Sequence, residues 1–141
     1  MGIVDLSVDK PKSLHIWAGI SARGATPVCV LPDEPSIDSF VYQGIINDFL
    51  VPFMSVLYPD GLTLQQDNAP AHNSFETHLW MVENGIDVMN WPPMSPDLNC
   101  IENAWGIVKK KFAPRKRTTF EEWKKELRSS GILFLSTFFR P

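Results

Sequence analysis

Residues 62–72 read LTLQQDNAPAH. Behind the turn Pro59-Asp60-Gly61, the run Leu62 to Gln66 predicts a short strand that ends at Asp67-Asn68. Open α/β sheets expose their ligands at the C-terminal ends of strands, so Asp67 is the first candidate functional residue. The same placement also suits a plain turn residue. Asn68 fits a supporting role, its carboxamide bonding to nearby backbone.

Downstream of this stretch, Asn73 and Glu76 have the spacing of a capping box. Phe75, His78, Leu79 and Val82 then share one helical face, and Asn84-Gly85 supplies a left-handed stop. Ile86 to Asn90 alternates as a strand. WPPMSPDLN, residues 91–99, is too rich in proline for either element. From about Cys100 a last helix places Ile101, Trp105, Val108 and Phe112 on one apolar stripe. Upstream, Ser13 to Ile20 predicts a strand, Ser21 to Gly24 a tight turn, and Thr26 to Leu31 the returning strand. Ser36 is the expected N-cap of a helix carrying Ile37, Phe40, Val41, Ile45 and Phe49, which Pro52 is expected to kink or end. The order strand–strand–helix–strand–helix–strand–helix implies a mixed sheet flanked by helices.

The 141 residues suit one domain, and 44% apolar with 21% charged residues is an ordinary globular composition. Cys29 and Cys100 form no C-x-x-C pair, which excludes a disulfide framework or a cysteine-rich zinc site and favours reduced thiols in an intracellular setting. No apolar stretch reaches the roughly 18 residues of a membrane span, so no membrane partner is expected. Charge is unevenly placed. Residues 109–117, KKKFAPRKR, hold six basic groups and no acid, while the other 132 residues carry 7 basic and 16 acidic groups. Lys109, Lys110, Lys111, Arg115, Lys116 and Arg117 can meet DNA phosphates without sequence preference, serve as a nuclear address, or simply solvate a helix end.

Glu102 falls in the first turn of the last helix, whose N-terminal dipole favours its ionised form. Two carboxylates from distant segments repel unless a cation lies between them. Hard cations such as Mg²⁺ use one or two carboxylates with waters and substrate phosphates, and a pair of such ions can stabilise both the attacking and the leaving oxygen of a phosphodiester. Asp67 and Glu102 are therefore candidate metal ligands, each with a plain reading as a turn residue or helix-end charge. Pro92, Pro93 and Pro96 stiffen the approach to Glu102. Trp91 and Trp105 read as core rather than as base-stacking platforms.

DNAPAH at 67–72 and WPPMSPDLNCIENAW at 91–105 resemble conserved blocks of the Tc-one/mariner transposases, within the DDE transposase and integrase superfamily. The 34 residues between Asp67 and Glu102 match that family's separation, and HIWAGISARGATPV at 15–28 is similar to its second and third strands. The resemblance implies an RNase H-like α/β fold, its sheet incomplete at the first strand. It implies metal-dependent cutting and joining of transposon DNA in transposition and DNA integration. It makes Asp67 the second and Glu102 the third acid of a catalytic triad that binds Mg²⁺ or Mn²⁺. His72 matches a histidine near the family's active site, where it would organise the metal or the scissile phosphate; its alternative is a loop histidine packed beside Pro70. DNA, both transposon end and target, is the implied partner, together with a second copy or full-length transposase, and the nucleus the implied location.

The resemblance runs to about Arg128, so residues 1–128 are expected to form a partial DDE catalytic domain and 129–141 an atypical apolar tail. The family's first acid has no clear counterpart; Asp5, within the alternating stretch GIVDLSV, is the one conceivable stand-in. With that acid lacking, little or no cleavage is expected of these residues by themselves. The alternative function is a non-catalytic, domesticated module that binds DNA or transposase.

Overall fold

The structure is a computed structural model that describes residues 2–6, 12–31, 36–90, 92, 96–111, 119 and 121–129. These residues group into two compact units, one drawn from 1–34 and 101–141, the other from 35–100.

In the first unit, β1 (Gly2–Leu6), β2 (Lys12–Trp17) and β5 (Cys29–Val30) form an antiparallel sheet in that order. Asp5 stands opposite Ser13 in the β1–β2 register. Between β2 and β5 the chain makes a small hairpin of β3 (Ile20–Ser21) and β4 (Gly24–Ala25). Its turn is closed by Ser21, whose hydroxyl accepts from Arg23 N at 3.2 Å and donates to Gly24 O at 2.9 Å. The sheet buries Ile16, Ala18, Val28 and Val30 against two helices, α4 (Cys100–Lys111) and α5 (residues 121–129). From α4 come Ala104, Trp105 and Val108, and from α5 Trp123 and Leu127. Of the expected stripe on α4, Trp105 and Val108 are in the core and Ile101 packs against it, with Trp105 2% exposed. Thr119 and Glu122 form the reciprocal N-terminal cap of α5: Glu122 N donates to Thr119 Oγ1 at 3.2 Å and Thr119 N to Glu122 Oε2 at 2.8 Å.

In the second unit, α1 (Ser39–Ile45), a π-turn (Ile46–Leu50) and α2 (Val51–Leu57) run as one helical stretch. Two expectations change here. The N-cap is Asp38 rather than Ser36, because the Asp38 carboxylate accepts from Val41 N at 2.9 Å. Of the kink or end expected at Pro52, the end does not occur: Pro52 falls in the first turn of α2, directly after the irregular π-turn. The buried face is Tyr42, Ile45, Ile46 and Leu50, while Phe40 is 75% exposed. By length and composition Ser39–Leu57 is able to cross a membrane, a stretch the sequence reading divided at Pro52. Within it α1 and the π-turn bury these four side chains, whereas α2 buries none.

β6 (Thr63–Leu64) and β7 (Asp87–Val88) pair in parallel, joined by α3 (Phe75–Glu83). A parallel pair needs such a crossover. The N-cap of α3 is Ser74, one residue beyond the expected Asn73, since Ser74 Oγ accepts from Thr77 N at 3.1 Å while Asn73 N is taken by Ala69 O. α3 buries Thr77 and Met81, and the expected face of Phe75, Leu79 and Val82 is turned outward. The stop at Asn84-Gly85 holds: Gly85 has φ +67°, and the N–H of Ile86 reaches back to Met81 O.

One mixed sheet was expected, but among the described residues the strands form three separate ladders. Among the described residues β1 pairs with β2. A short 3-10 turn, Pro96–Leu98, occurs where neither helix nor strand was expected. Trp91, Pro93, Phe112, Arg115, Lys116, Arg117 and the tail from residue 130 lie outside the described residues.

Candidate active site

Asp67 stands just beyond β6, at the C-terminal end of the parallel pair. Its Oδ1 accepts from Ala69 N at 3.1 Å, so the aspartate side chain helps to close its own turn. Asn68 is exposed beside it. The Nδ1 of His72 stands 2.6 Å from the same Oδ1, a close polar contact that falls outside regular hydrogen-bond alignment. It becomes an ion pair when the imidazole is protonated. Both contacts fall on Oδ1, and Oδ2 carries no hydrogen bond among the described residues. The His72 contact is the main cause that holds the Asp67 carboxyl down to about 2 from an ordinary 3.8; the Ala69 N–H adds to it, and partial burial opposes both. Asp67 is thus firmly ionised at neutral pH.

The loop that carries His72 is gripped from several sides. His72 N and Asn73 N both donate to Ala69 O, at 2.9 and 3.0 Å. Thr77 Oγ1, fully buried in α3, donates to Ala71 O at 2.7 Å. Gln66 Nε2 donates to His72 O at 3.3 Å. His72 is 2% exposed, its ring lies against that of Tyr42, and its Nδ1 faces Asp67.

A cleft of about 370 Å³ opens beside Asp67 and Asn68, floored by Met81, Ile86 and Val88. Among the described residues none that lines it is Lys or Arg. His78 and Asp87 also line the cleft, and a phosphate placed there would meet the ionised Asp67 with no lysine or arginine of this lining to offset the repulsion. Asp67 itself suits a bound cation: it is ionised, anchored through one oxygen and unbonded at the other. Glu102 is exposed in the first turn of α4, within the first unit, whereas Asp67 belongs to the second. Among the described residues no three His, Cys, Asp or Glu side chains form a complete metal-binding group. Lys109, Lys110 and Lys111 are exposed in the last turn of α4.

The sequence profile of the family described as DDE superfamily endonuclease matches residues 8–124. The chain belongs to that family. Within it, this DDE chain is 31% identical over 98 residues to the transposase of transposable element Tcb2 of Caenorhabditis briggsae, a match covering 70% of the chain and 35% of the relative. It is 33% identical over 96 residues to the Tc3 transposase of Caenorhabditis elegans, covering 68% and 29%. The chain spans about a third of the length of the curated relatives it matches. Among solved structures, the catalytic domain of Mos1 mariner transposase superposes with a TM-score of 0.69 at 17% identity, over 98% of this chain and 75% of that one. The Mos1 paired-end complex with Mn gives 0.73 at 18% identity, over 94% and 39%. The expected RNase H-like α/β fold and the Tc1/mariner type of the domain are thereby established.

The sequence reading missed Tyr42, Gln66 and Thr77. Gln66 adjoins Asp67 and was legible as a neighbour. Tyr42 and Thr77 reach the loop only through tertiary packing, and no local signal marks them.

Proposed function

We propose that this chain supplies part of the catalytic centre of a Tc1/mariner-type transposase, acting on DNA by metal-dependent phosphodiester cleavage and strand transfer. Asp67 and Glu102 are its metal ligands, and the ion is Mg²⁺ or Mn²⁺. The observation that carries this reading is Asp67 itself, held ionised at the end of a parallel strand pair with one oxygen anchored to His72 and Ala69 and the other unbonded. The bound ion would offset phosphate charge and lower the pKa of an attacking water. Asp67 and Glu102 bind and orient it, His72 fixes the Asp67 carboxylate, and the exposed Lys109, Lys110 and Lys111, continued by Arg115, Lys116 and Arg117, hold the DNA backbone.

Two acids grip such ions weakly, so these 141 residues by themselves are proposed to cleave little or not at all. A nicking assay on transposon-end DNA with Mg²⁺ or Mn²⁺ tests this. Robust cleavage lost in Asp67→Ala or Glu102→Ala overturns the inactivity, whereas DNA binding that survives Asp67→Ala and weakens as salt rises supports the assignment of the lysines. The partners proposed are transposon-end and target DNA and a further transposase subunit. Action on chromosomal DNA places the protein in the nucleus, which imaging of a tagged chain checks.

A further inference from the structure

His72 is buried, yet its Nε2 has no hydrogen-bond partner among the described residues. A buried histidine kept only for packing would ordinarily satisfy that nitrogen. Its ring is instead set by two other contacts. Nδ1 meets Asp67, and the ring lies against that of Tyr42, with centroids 4.0 Å apart and planes tilted by 31°. Tyr42 reaches further. Its hydroxyl donates to Gln66 Oε1 at 2.5 Å, and the same carboxamide donates from Nε2 to His72 O at 3.3 Å. A turned-over amide would set Oε1 against the His72 carbonyl and lose that bond, so the orientation with Nε2 toward His72 O keeps both contacts. Ring and backbone of His72 are thus tied to one tyrosine, through one glutamine that adjoins Asp67 in sequence.

We infer that Tyr42 and Gln66 are positioning residues of the metal site: together they hold His72 with Nδ1 against Oδ1 of Asp67, leaving Oδ2 as the oxygen for a divalent cation. The inference rests on the reading of Asp67 as a metal ligand. Partners outside the first shell of a metal orient its ligands and set their affinity, and their loss typically weakens binding about 10–100-fold. A phenylalanine at position 42 would fill the same volume and keep the ring contact, so the hydroxyl is the part that packing alone does not require.

The test compares the full 141-residue chain with Tyr42→Phe and Gln66→Met, with Asp67→Ala as control. Without metal, the imidazole ¹⁵N resonances of His72 are expected to move in both variants; unchanged resonances in both overturn the inference. Mn²⁺ is then titrated while the broadening of the same ring signals is followed. The midpoint is expected at about tenfold higher Mn²⁺ in each variant, at temperatures well below their melting transitions. Lower melting temperatures with an unchanged Mn²⁺ midpoint would mean a merely structural role and also overturn it. Should Mn²⁺ leave His72 unaffected in the wild type, or affect Asp67→Ala equally, the metal reading of Asp67 fails; the metal-free spectra still decide whether Tyr42 and Gln66 orient His72.

Discussion

Replacing His72 by Gln removes the contact that chiefly holds the Asp67 carboxyl ionised. The wild-type group titrates near 2 rather than 3.8. At about 1.4 kcal/mol per tenfold change in protonation, full burial would make that drop worth on the order of 2 kcal/mol. The Asp67 side chain is 44% exposed, so solvent screening brings the expected contribution to roughly 1 kcal/mol. The sign follows from the direction of the change. A carboxyl whose pKa is lower in the folded chain stabilises it fully above the unfolded value near 3.8, and that stabilisation is lost as pH falls through about 2. Carbon-13 NMR of the Asp67 carboxyl over acidic pH reads the group directly. Its midpoint should climb in His72→Gln most of the way back toward 3.8, short of it because the Ala69 N–H remains. Urea unfolding should show a wild-type advantage of roughly 1 kcal/mol above pH 5 that shrinks between about pH 4 and 2. An Asp67 midpoint that is the same in both proteins would refute the electrostatic account of this contact.

Three further outcomes follow from the packing. Thr77→Val removes the buried hydroxyl that donates to Ala71 O and should cost about 1–3 kcal/mol, read by urea unfolding, because the carbonyl is left without that donor. In Gly19→Ala the new methyl would lie 3.1 Å from Thr26 Cγ2, beside the bond from Gly19 N to Thr26 Oγ1; a melting temperature lowered by several degrees, about 1–3 kcal/mol of overpacking, is expected. Thr119→Ala strips the cap of α5 and should lower stability by about 0.5–2 kcal/mol, with faster amide exchange at Glu122 and Trp123; unchanged exchange would show that the cap contributes little.

Much of the fold was legible because its signals are local. The stripe on α4, the turn at Gly24, the stop at Gly85 and the short strand before Asp67 each arise from neighbours in the chain, and the structure contains them. The departures are places where distant groups compete. Ser36 lost the cap of α1 to Asp38. Pro52, a breaker by local rule, is carried by a π-turn that keeps Ile46 and Leu50 buried. The apolar face assigned to α3 faces outward because Thr77 and Met81 have the interior partners.

At the site the division is the same. Asp67, Asn68, His72 and Glu102 were named from residue type, spacing and resemblance, since an acid after a strand and an acid in a first helical turn are written in the chain itself. That His72 is buried against Asp67, that one carboxylate oxygen is engaged and the other unbonded, and that Tyr42 reaches the loop through Gln66 were decided by tertiary structure alone. Tyr42 lies 24 residues from Gln66 in the chain. Periodicity and propensity act over a few residues, whereas an orientation held across such a separation exists only once the helix has packed on the loop.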